Sequence, residues 1–128
     1  MKLEDQICSL ELAKRLKELG VKQKSLFVYG KALEQDAEIE LFINFNTPKF
    51  FNCRTHSFNY IDKDFYSAFT VAELGEGLGD GIVSGKFRDK YYCFDYKIAE
   101  IDWREDNTEA NARAKMLIYL IENGLVKI

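Results

Sequence analysis

The sequence predicts a single α+β domain, residues 1–128, with three helices packed mostly on one face of a mainly antiparallel sheet of four to six strands. Three observations predict this class. The length of 128 residues suits one domain. Segments with helical periodicity alternate with runs rich in aromatic and branched residues, which are typical of strands. The order helix, strands, helix, strands, helix pairs neighbouring strands as hairpins and leaves the helices to cover one face.

The first helix is predicted over residues 10–19. Ser9 is a good N-cap because its hydroxyl can accept a hydrogen bond from a free amide of the first turn. Gly20 is a good stop because glycine adopts the left-handed conformation that ends many helices. The side chains expected to be buried are those of Leu12, Ala13, Leu16 and Leu19.

A β-hairpin is predicted after this helix. Residues 26–32 and 39–45 are rich in aromatic and branched side chains, and a polar turn at residues 34–38 separates them. Pro48 ends the second strand because proline has no amide hydrogen to donate to a neighbouring strand. Residues 49–65 fit a third, partly exposed strand, and a long loop nearly as well.

The middle helix is predicted over residues 71–78. Thr70 and Glu73 have the spacing of a capping box, in which each side chain accepts a hydrogen bond from the backbone amide of the other residue. Phe69 and Leu74 occupy the positions of a hydrophobic staple, which fixes the direction from which the chain enters the helix. The sequence therefore predicts a short helix with a well-marked start.

A second group of strands is predicted over residues 82–104. Alternate side chains of a strand point to opposite faces of the sheet. The alternation slips near residues 97–100, which indicates a bulge or a turn there. The residues expected on one face are Tyr92, Phe94 and Tyr96, and those expected on the other face are Tyr91 and Cys93.

The last helix is predicted over residues 107–123, and the rest of the chain is expected to pack around it. Asp106 and Glu109 have the spacing of a capping box, with Asp in the place of the usual Ser or Thr. Gly124 can close the helix in the left-handed conformation, and Leu125 can then fold back onto the last turn. The expected apolar stripe consists of Ala110, Ala114, Leu117, Ile118, Ile121 and Leu125.

Composition narrows the class of protein. The net charge of −3 disfavours a protein whose main task is to bind nucleic acid. No run is long and apolar enough to cross a membrane, and the first residues lack the apolar core of a signal peptide. Three cysteines without a Cys-x-x-Cys pattern indicate reduced thiols rather than a disulfide framework. We therefore expect a cytoplasmic protein without membrane contact.

Three segments carry a resemblance to a known group of proteins. They are CSLELAKRLKELGVKQ at residues 8–23, YSAFTVAELGE at residues 66–76 and EANARAKMLIYLIEN at residues 109–123. Together they resemble a family of small uncharacterised proteins of bacterial prophages and phage-like elements. Relatives carry Met-Leu-Pro where this chain has glycine, leucine and glycine at residues 77–79. The resemblance implies a bacterial or phage cytoplasmic setting, and it provides no activity or site residue to carry over.

Cys53 and His56 are the candidates for chemistry, as a thiol and the only imidazole three residues apart. In a strand the two side chains would face opposite sides of the sheet. In a turn they could approach each other, and Arg54 could lower the pKa of the thiol. A zinc site needs three or four ligands, and the sequence has no second pair nearby. We expect no metal and no cofactor, and we keep a small enzyme using these two residues as an alternative.

The first predicted helix has a basic face followed by Gly-Val, which superficially fits a helix-turn-helix motif. Such a motif needs a second helix that enters the major groove. The residues that follow favour a strand instead, so a solvated basic face is the simpler interpretation. The candidates for weak nucleic-acid binding are Lys14, Arg15, Lys17, Lys22 and Lys24.

Aromatic density is the remaining unusual feature, with ten Phe, seven Tyr and one Trp. A sheet covered by helices on one face leaves aromatic side chains on its other face, and exposed apolar patches usually mark a partner surface. We expect at least two large aromatics of the second strand group to be more than a third exposed in the monomer. Tyr92, Phe94 and Tyr96 form the predicted partner face. We expect binding to another protein or to a second copy of the chain.

Overall fold

The computed structural model describes residues 2–34, 36–78, 82–95 and 104–126. The fold is α+β, as the sequence predicts. The helices in this part of the chain are α1 (Leu3–Gln6), α2 (Leu10–Glu18), α3 (Val71–Leu78) and α4 (Glu109–Glu122). The strands are β1 (Phe27–Lys31), β2 (Ile39–Ile43), β3 (Phe50–Asn52), β4 (Phe58–Asn59), β5 (Tyr66–Ser67), β6 (Ile82–Phe87), β7 (Lys90–Asp95) and β8 (Arg104–Asp106). Of these elements, the short helix α1 was not predicted.

The strands form two antiparallel sheets rather than one. The first sheet has the order β4-β3-β2-β1-β5, and the second has the order β6-β7-β8. Helix α2 packs on β5 and on α4, while α4 packs on all three strands of the second sheet. The helices therefore lie between the sheets, and each sheet buries part of one face against them.

Residues 50–59 form a tight hairpin, which resolves the choice between a strand and a loop. The side chain of Asn52 is buried, and its Oδ1 accepts hydrogen bonds from the amides of Arg54 (2.8 Å) and Thr55 (3.1 Å). The amide of His56 also donates to the carbonyl of Asn52 at 2.9 Å. These bonds close a turn between β3 and β4, so a strand continuing through residues 53–57 is wrong.

The predicted starts of α2 and α3 are confirmed. Ser9 Oγ accepts a hydrogen bond from the amide of Leu12 at 3.4 Å. Thr70 and Glu73 form the reciprocal capping box, because Thr70 Oγ1 accepts from the amide of Glu73 (3.2 Å) and Glu73 Oε1 accepts from the amide of Thr70 (2.8 Å). Phe69 lies against the hydrophobic core just before the helix.

The N-cap of helix α4 lies two residues later than predicted. Thr108 is the N-cap, and its Oγ1 accepts a hydrogen bond from the amide of Asn111 at 3.2 Å. Asp106 instead ends β8, where its carboxylate accepts from the amide of Asn107 (2.7 Å) and lies 2.7 Å from Lys115 Nζ. The Asp106 carboxylate therefore bonds groups other than the backbone amides of the first turn of α4. The predicted capping box of Asp106 and Glu109 is wrong.

The buried surface of α4 differs from the predicted stripe. Ala110, Ala114 and Leu117 are buried as predicted, whereas Ile118 and Ile121 are half-buried. The helix is covered from several sides, and the additional buried residues are Ala112, Met116 and Leu120. Gly124 closes the helix at φ +66°, as predicted, and the amide of Leu125 donates to the carbonyl of Leu120 at 2.8 Å. The side chain of Leu125 is nevertheless 56 % exposed, so the expected packing of Leu125 on the last turn is wrong.

None of the helices in the described part of the chain is long and apolar enough to span a membrane.

Candidate functional site

The face of the second sheet that points away from α4 carries apolar side chains. Register pairs Val83 with Phe94 and Gly85 with Tyr92, so these four residues share one side of the sheet with Phe87. We call this set the outer face. Phe87 is 63 % exposed, Val83 39 % and Phe94 37 %, while Tyr92 is half-buried. Two aromatics of the strand group are therefore more than a third exposed, as the sequence predicts.

A shallow depression lies at the centre of the outer face. It has a volume of about 420 Å³ and is lined by Gly85, Lys86, Phe87, Tyr92 and Phe94. Gly85 creates it, because a side chain at this position would meet no atom within 4 Å. The space over Gly85 is therefore empty and bordered by aromatic side chains, which is the lining typical of a small recognition pocket.

Tyr92 connects the depression to the polar rim of the face. It pairs with Glu105 across β7 and β8. Partial desolvation and then the carboxylate of Glu105 raise the pKa of the Tyr92 hydroxyl above its ordinary value. The hydroxyl therefore lies near the Glu105 carboxylate at the edge of an apolar surface.

The opposite side of this sheet is fixed to α4 by a polar cluster. Arg113 donates hydrogen bonds to Ser84 Oγ (3.0 Å), to the carbonyl of Val71 (3.0 Å) and to Glu109 Oε2 (3.1 Å). Ser84 Oγ donates to the same Glu109 oxygen at 2.5 Å. The cluster joins β6, α3 and α4, so the strand that carries Gly85 and Phe87 is held rigidly from behind.

Cys93 and Tyr91 lie on this inner side, as the alternation predicts. Cys93 is fully buried in the core. Desolvation raises the pKa of its thiol to about 11, so the thiol is neutral at physiological pH. Tyr96, the third member of the predicted partner face, and the bulge expected near residues 97–100 lie outside the described residues.

Cys53 and His56 both lie in the turn between β3 and β4. Cys53 follows β3 in the turn, and desolvation raises the pKa of its thiol, which is the opposite of the shift that activates a cysteine. His56 adopts φ 57°, and its ring stacks on Phe51 with the centroids 6.0 Å apart and the planes at 9°. Within residues 2–34, 36–78, 82–95 and 104–126, no group of three or more His, Cys, Asp or Glu side chains could hold a metal ion.

The basic residues of α2, which is the first predicted helix, mostly contact other groups of the protein. Arg15 forms ion pairs with Glu18 and Glu122. Lys17 Nζ donates to the carbonyl of Phe65 at 2.7 Å. Strand β1 follows α2, so the second helix of a helix-turn-helix motif is not present at this position. Lys14 lies over the ring of Tyr66, while Lys22 and Lys24 are exposed.

A second group of exposed aromatics lies on the first sheet. The ring centroids of Phe45 and Phe58 are 6.3 Å apart, and those of Phe51 and Phe58 are 5.2 Å apart. Phe45 is 51 % and Phe58 55 % exposed. These rings pack edge to face or tilted on one another, which covers part of their apolar surface.

The comparisons leave the site to be interpreted from its own geometry. No protein-family model, curated protein or solved structure matches the chain.

Sequence reasoning missed Gly85 and Phe87, which shape the depression. An isolated glycine inside a strand usually indicates a bulge or a close approach of another backbone, whereas Gly85 lies in a regular register with no atom within 4 Å of an added side chain. The partner of Gly85 across the hairpin could not be identified without the register, which depends on the turn at Arg88 and Asp89.

Proposed function

We propose that this chain is a protein-binding accessory protein that recognises its partner through the outer face of the second sheet. The observation that carries the proposal is the open depression over Gly85, bordered by Phe87 and Phe94. Solvent-exposed aromatic side chains beside an apolar depression are typical of the centres of protein interfaces, where they contribute a large share of the binding energy.

Rigidity of the face supports the same proposal. The hydrogen bonds of Arg113 and Ser84 hold β6 against α4, so the aromatic side chains are positioned before a partner arrives. A preorganised surface loses less conformational entropy on binding than a mobile one. A larger share of the free energy of the contacts with the partner then contributes to affinity.

The proposal includes a bacterial or phage cytoplasmic setting, which other observations support. The resemblance of residues 8–23, 66–76 and 109–123 to proteins of prophages and phage-like elements supports a bacterial or phage origin. Neutral, unpaired thiols at Cys8, Cys53 and Cys93 fit the reducing cytoplasm. On this proposal the partner is a protein of the bacterial cell or of the mobile element.

The test compares two single variants with matched chemistry. Phe94→Ser removes an aromatic from the outer face, and Phe45→Ser removes one from the first sheet. Immobilised wild-type protein and the Phe45→Ser control should retain the same proteins from a bacterial lysate, and Phe94→Ser should lose them. Sedimentation of the three proteins over a wide concentration range tests whether a second copy is the partner.

Two results would contradict the proposal. One is a set of retained proteins that is the same for the wild type and Phe94→Ser, since binding would then use another surface. The other is a wild type that stays monomeric and retains nothing that the Phe94→Ser variant lacks. Thermal melts of both variants confirm that a loss of binding is not a loss of folding.

A further inference from the structure

Strand β6 is the only long edge strand in the described parts of the two sheets. The other edge strands, β4, β5 and β8, have two, two and three residues, whereas β6 has six. Short edges are one of the ways in which proteins avoid pairing with other chains. No described strand pairs with the second edge of β6, so alternate amides and carbonyls of this strand point away from β7.

Strand β6 carries only one of the usual protective features, an inward-pointing lysine. Proline is absent from the strand, and its one charged residue, Lys86, lies on the inner side with Nζ 5.6 Å from the centre of the Tyr91 ring. The side chains of the outer face, Val83 and Phe87, are apolar and exposed. An edge of this kind is a template for an added strand.

The size of the outer face argues against a second copy packing flat on it. Strands β6 and β7 have six residues each and β8 has three. At a spacing of about 4.8 Å these strands cover roughly 240 Å². A stable interface between folded proteins buries about 800 Å² on each partner. An extended segment needs less surface, because hydrogen bonds along the strand edge add to the side-chain contacts.

The charge at the end of β6 next to the turn indicates which residues a bound extended segment should carry. Lys86, Arg88 and Lys90 surround the turn between β6 and β7, against the single acidic residue Asp89. The guanidinium of Arg88 lies 5.4 Å from the centre of the Phe87 ring, next to the depression. Acidic residues at the corresponding end of a bound segment would therefore be attracted.

We propose that the partner contributes an extended segment that adds to the open edge of β6 as an antiparallel strand. A large aliphatic side chain of this segment fills the depression over Gly85, and acidic residues preceding it lie near Arg88. Antiparallel addition places the N-terminal part of the segment at the turn, because β6 runs towards the turn. This inference rests on the proposed function and specifies the chemistry of the partner.

The probe is a labelled synthetic peptide in which two glutamates precede alternating threonine and leucine, with both ends blocked. Binding is measured by fluorescence anisotropy with the full chain. Two further peptides carry N-methyl groups on alternate residues in opposite phases. Since only one phase blocks the amides that face β6, one methylated peptide should bind at least about tenfold more weakly and the other should bind like the parent.

The protein variant Gly85→Val tests the depression. Its new side chain occupies empty space in a strand, so folding should be retained, while affinity for the peptide should fall about tenfold or more because the leucine loses its site. Phe45→Ser serves as the control and should bind the peptide like the wild type. A peptide with its glutamates moved to the C-terminal end should bind more weakly, and the difference should shrink at high salt.

Other outcomes overturn the inference in distinguishable ways. Equal binding of both methylated peptides, with loss of binding in Phe94→Ser, would refute strand addition while leaving the outer face as the binding surface. No binding of the parent peptide would refute an extended acidic–aliphatic partner, and the lysate comparison would still test the face. A dimer of the free protein that Gly85→Val abolishes would identify the second copy as the occupant and refute this inference.

Discussion

At the scale of single residues, Asp106 illustrates why a capping pattern alone does not place a helix start. Its spacing to Glu109 fits a capping box, yet Thr108 caps the helix and Asp106 accepts hydrogen bonds from Asn107 and Asn111. Both Asp and Thr are good caps, so the sequence offers two starts two residues apart. The pairing of β8 with β7 decides between them. It holds Asp106 in an extended conformation as the last residue of β8, so the helix starts after it.

The ion pair and hydrogen bonds of Asp106 predict that the free energy of unfolding depends on pH. Burial alone would raise the pKa of this carboxyl, but bonds from Lys115, Asn111 and the amide of Asn107 outweigh it and hold the pKa below its usual range. A carboxyl with a lowered folded-state pKa stabilises the fold above its unfolded pKa, and this contribution disappears as the pH falls through the folded pKa. We expect Asp106→Asn to cost about 1 kcal/mol at pH 7 and less at about pH 3.

Urea unfolding of the wild type and the variant at both pH values measures this difference. Asp89→Asn, at an exposed turn, is the control and should show little effect at either pH. An Asp106→Asn penalty of the same size at both pH values would show that the lost contacts do not depend on ionisation.

Two glycines of α3 form a matched pair for a second prediction at this scale. A side chain at Gly75 would overlap Arg113 Nη1, which donates to the carbonyl of Val71. A side chain at Gly77 would lie 3.5 Å from Leu117 Cδ2, an ordinary contact. Alanine gains about 0.5–1 kcal/mol of helix propensity over glycine at each position.

We expect Gly77→Ala to raise the free energy of unfolding by about 0.5–1 kcal/mol. Gly75→Ala should lower it by about 1 kcal/mol, because a displaced Arg113 leaves hydrogen-bonding groups without partners. Thermal and urea unfolding of both variants check this. Stabilisation of equal size in both would mean that Arg113 moves aside without cost.

At the scale of elements, helices α2 and α3 were predictable because their signals are local. The start of α3 follows from four consecutive residues, and its predicted range of residues 71–78 matches the observed helix. The hairpin of β1 and β2 was predictable for the same reason. The hairpin of β3 and β4 was not, because the buried side chain of Asn52 closes its turn and Asn at that position carries no distinctive local pattern.

The capping box of α3 gives a prediction at this scale. Thr70→Ala removes one of the two reciprocal hydrogen bonds and should cost about 1 kcal/mol. Circular dichroism melts of this variant should therefore show a lower melting temperature than melts of the control Thr47→Ala, which alters an exposed loop hydroxyl. A melting temperature unchanged by Thr70→Ala would mean that the hydroxyl does not stabilise the start of the helix.

At the scale of the whole molecule, the division into two sheets could not be read from the sequence. Local patterns identify strands, but whether β5 and β6 join one sheet depends on how the helices pack, with α2 on β5 and α4 on β6. The same packing decides which aromatics are exposed. The alternation of Tyr92 and Phe94 with Tyr91 and Cys93 predicted the two sides of β7, whereas Gly85 and the depression required the register with β6.

The central claim is that the outer face of the second sheet, rather than the aromatic group of the first sheet, binds a protein. Both surfaces expose phenylalanines to a comparable degree, with Phe87 at 63 % and Phe45 at 51 %. Exposure therefore does not discriminate between them. The second sheet differs in the depression and in the edge of β6 beside Phe87, which no described strand covers.

Site-specific photocrosslinking tests this claim most directly. A benzoylphenylalanine replaces Phe87 in one protein and Phe45 in another, and both are irradiated in bacterial cells that express them. We expect discrete crosslinked products from position 87 that disappear when Phe94→Ser is added, and none from position 45. Crosslinks from position 45 with none from position 87 would contradict the account and assign binding to the first sheet.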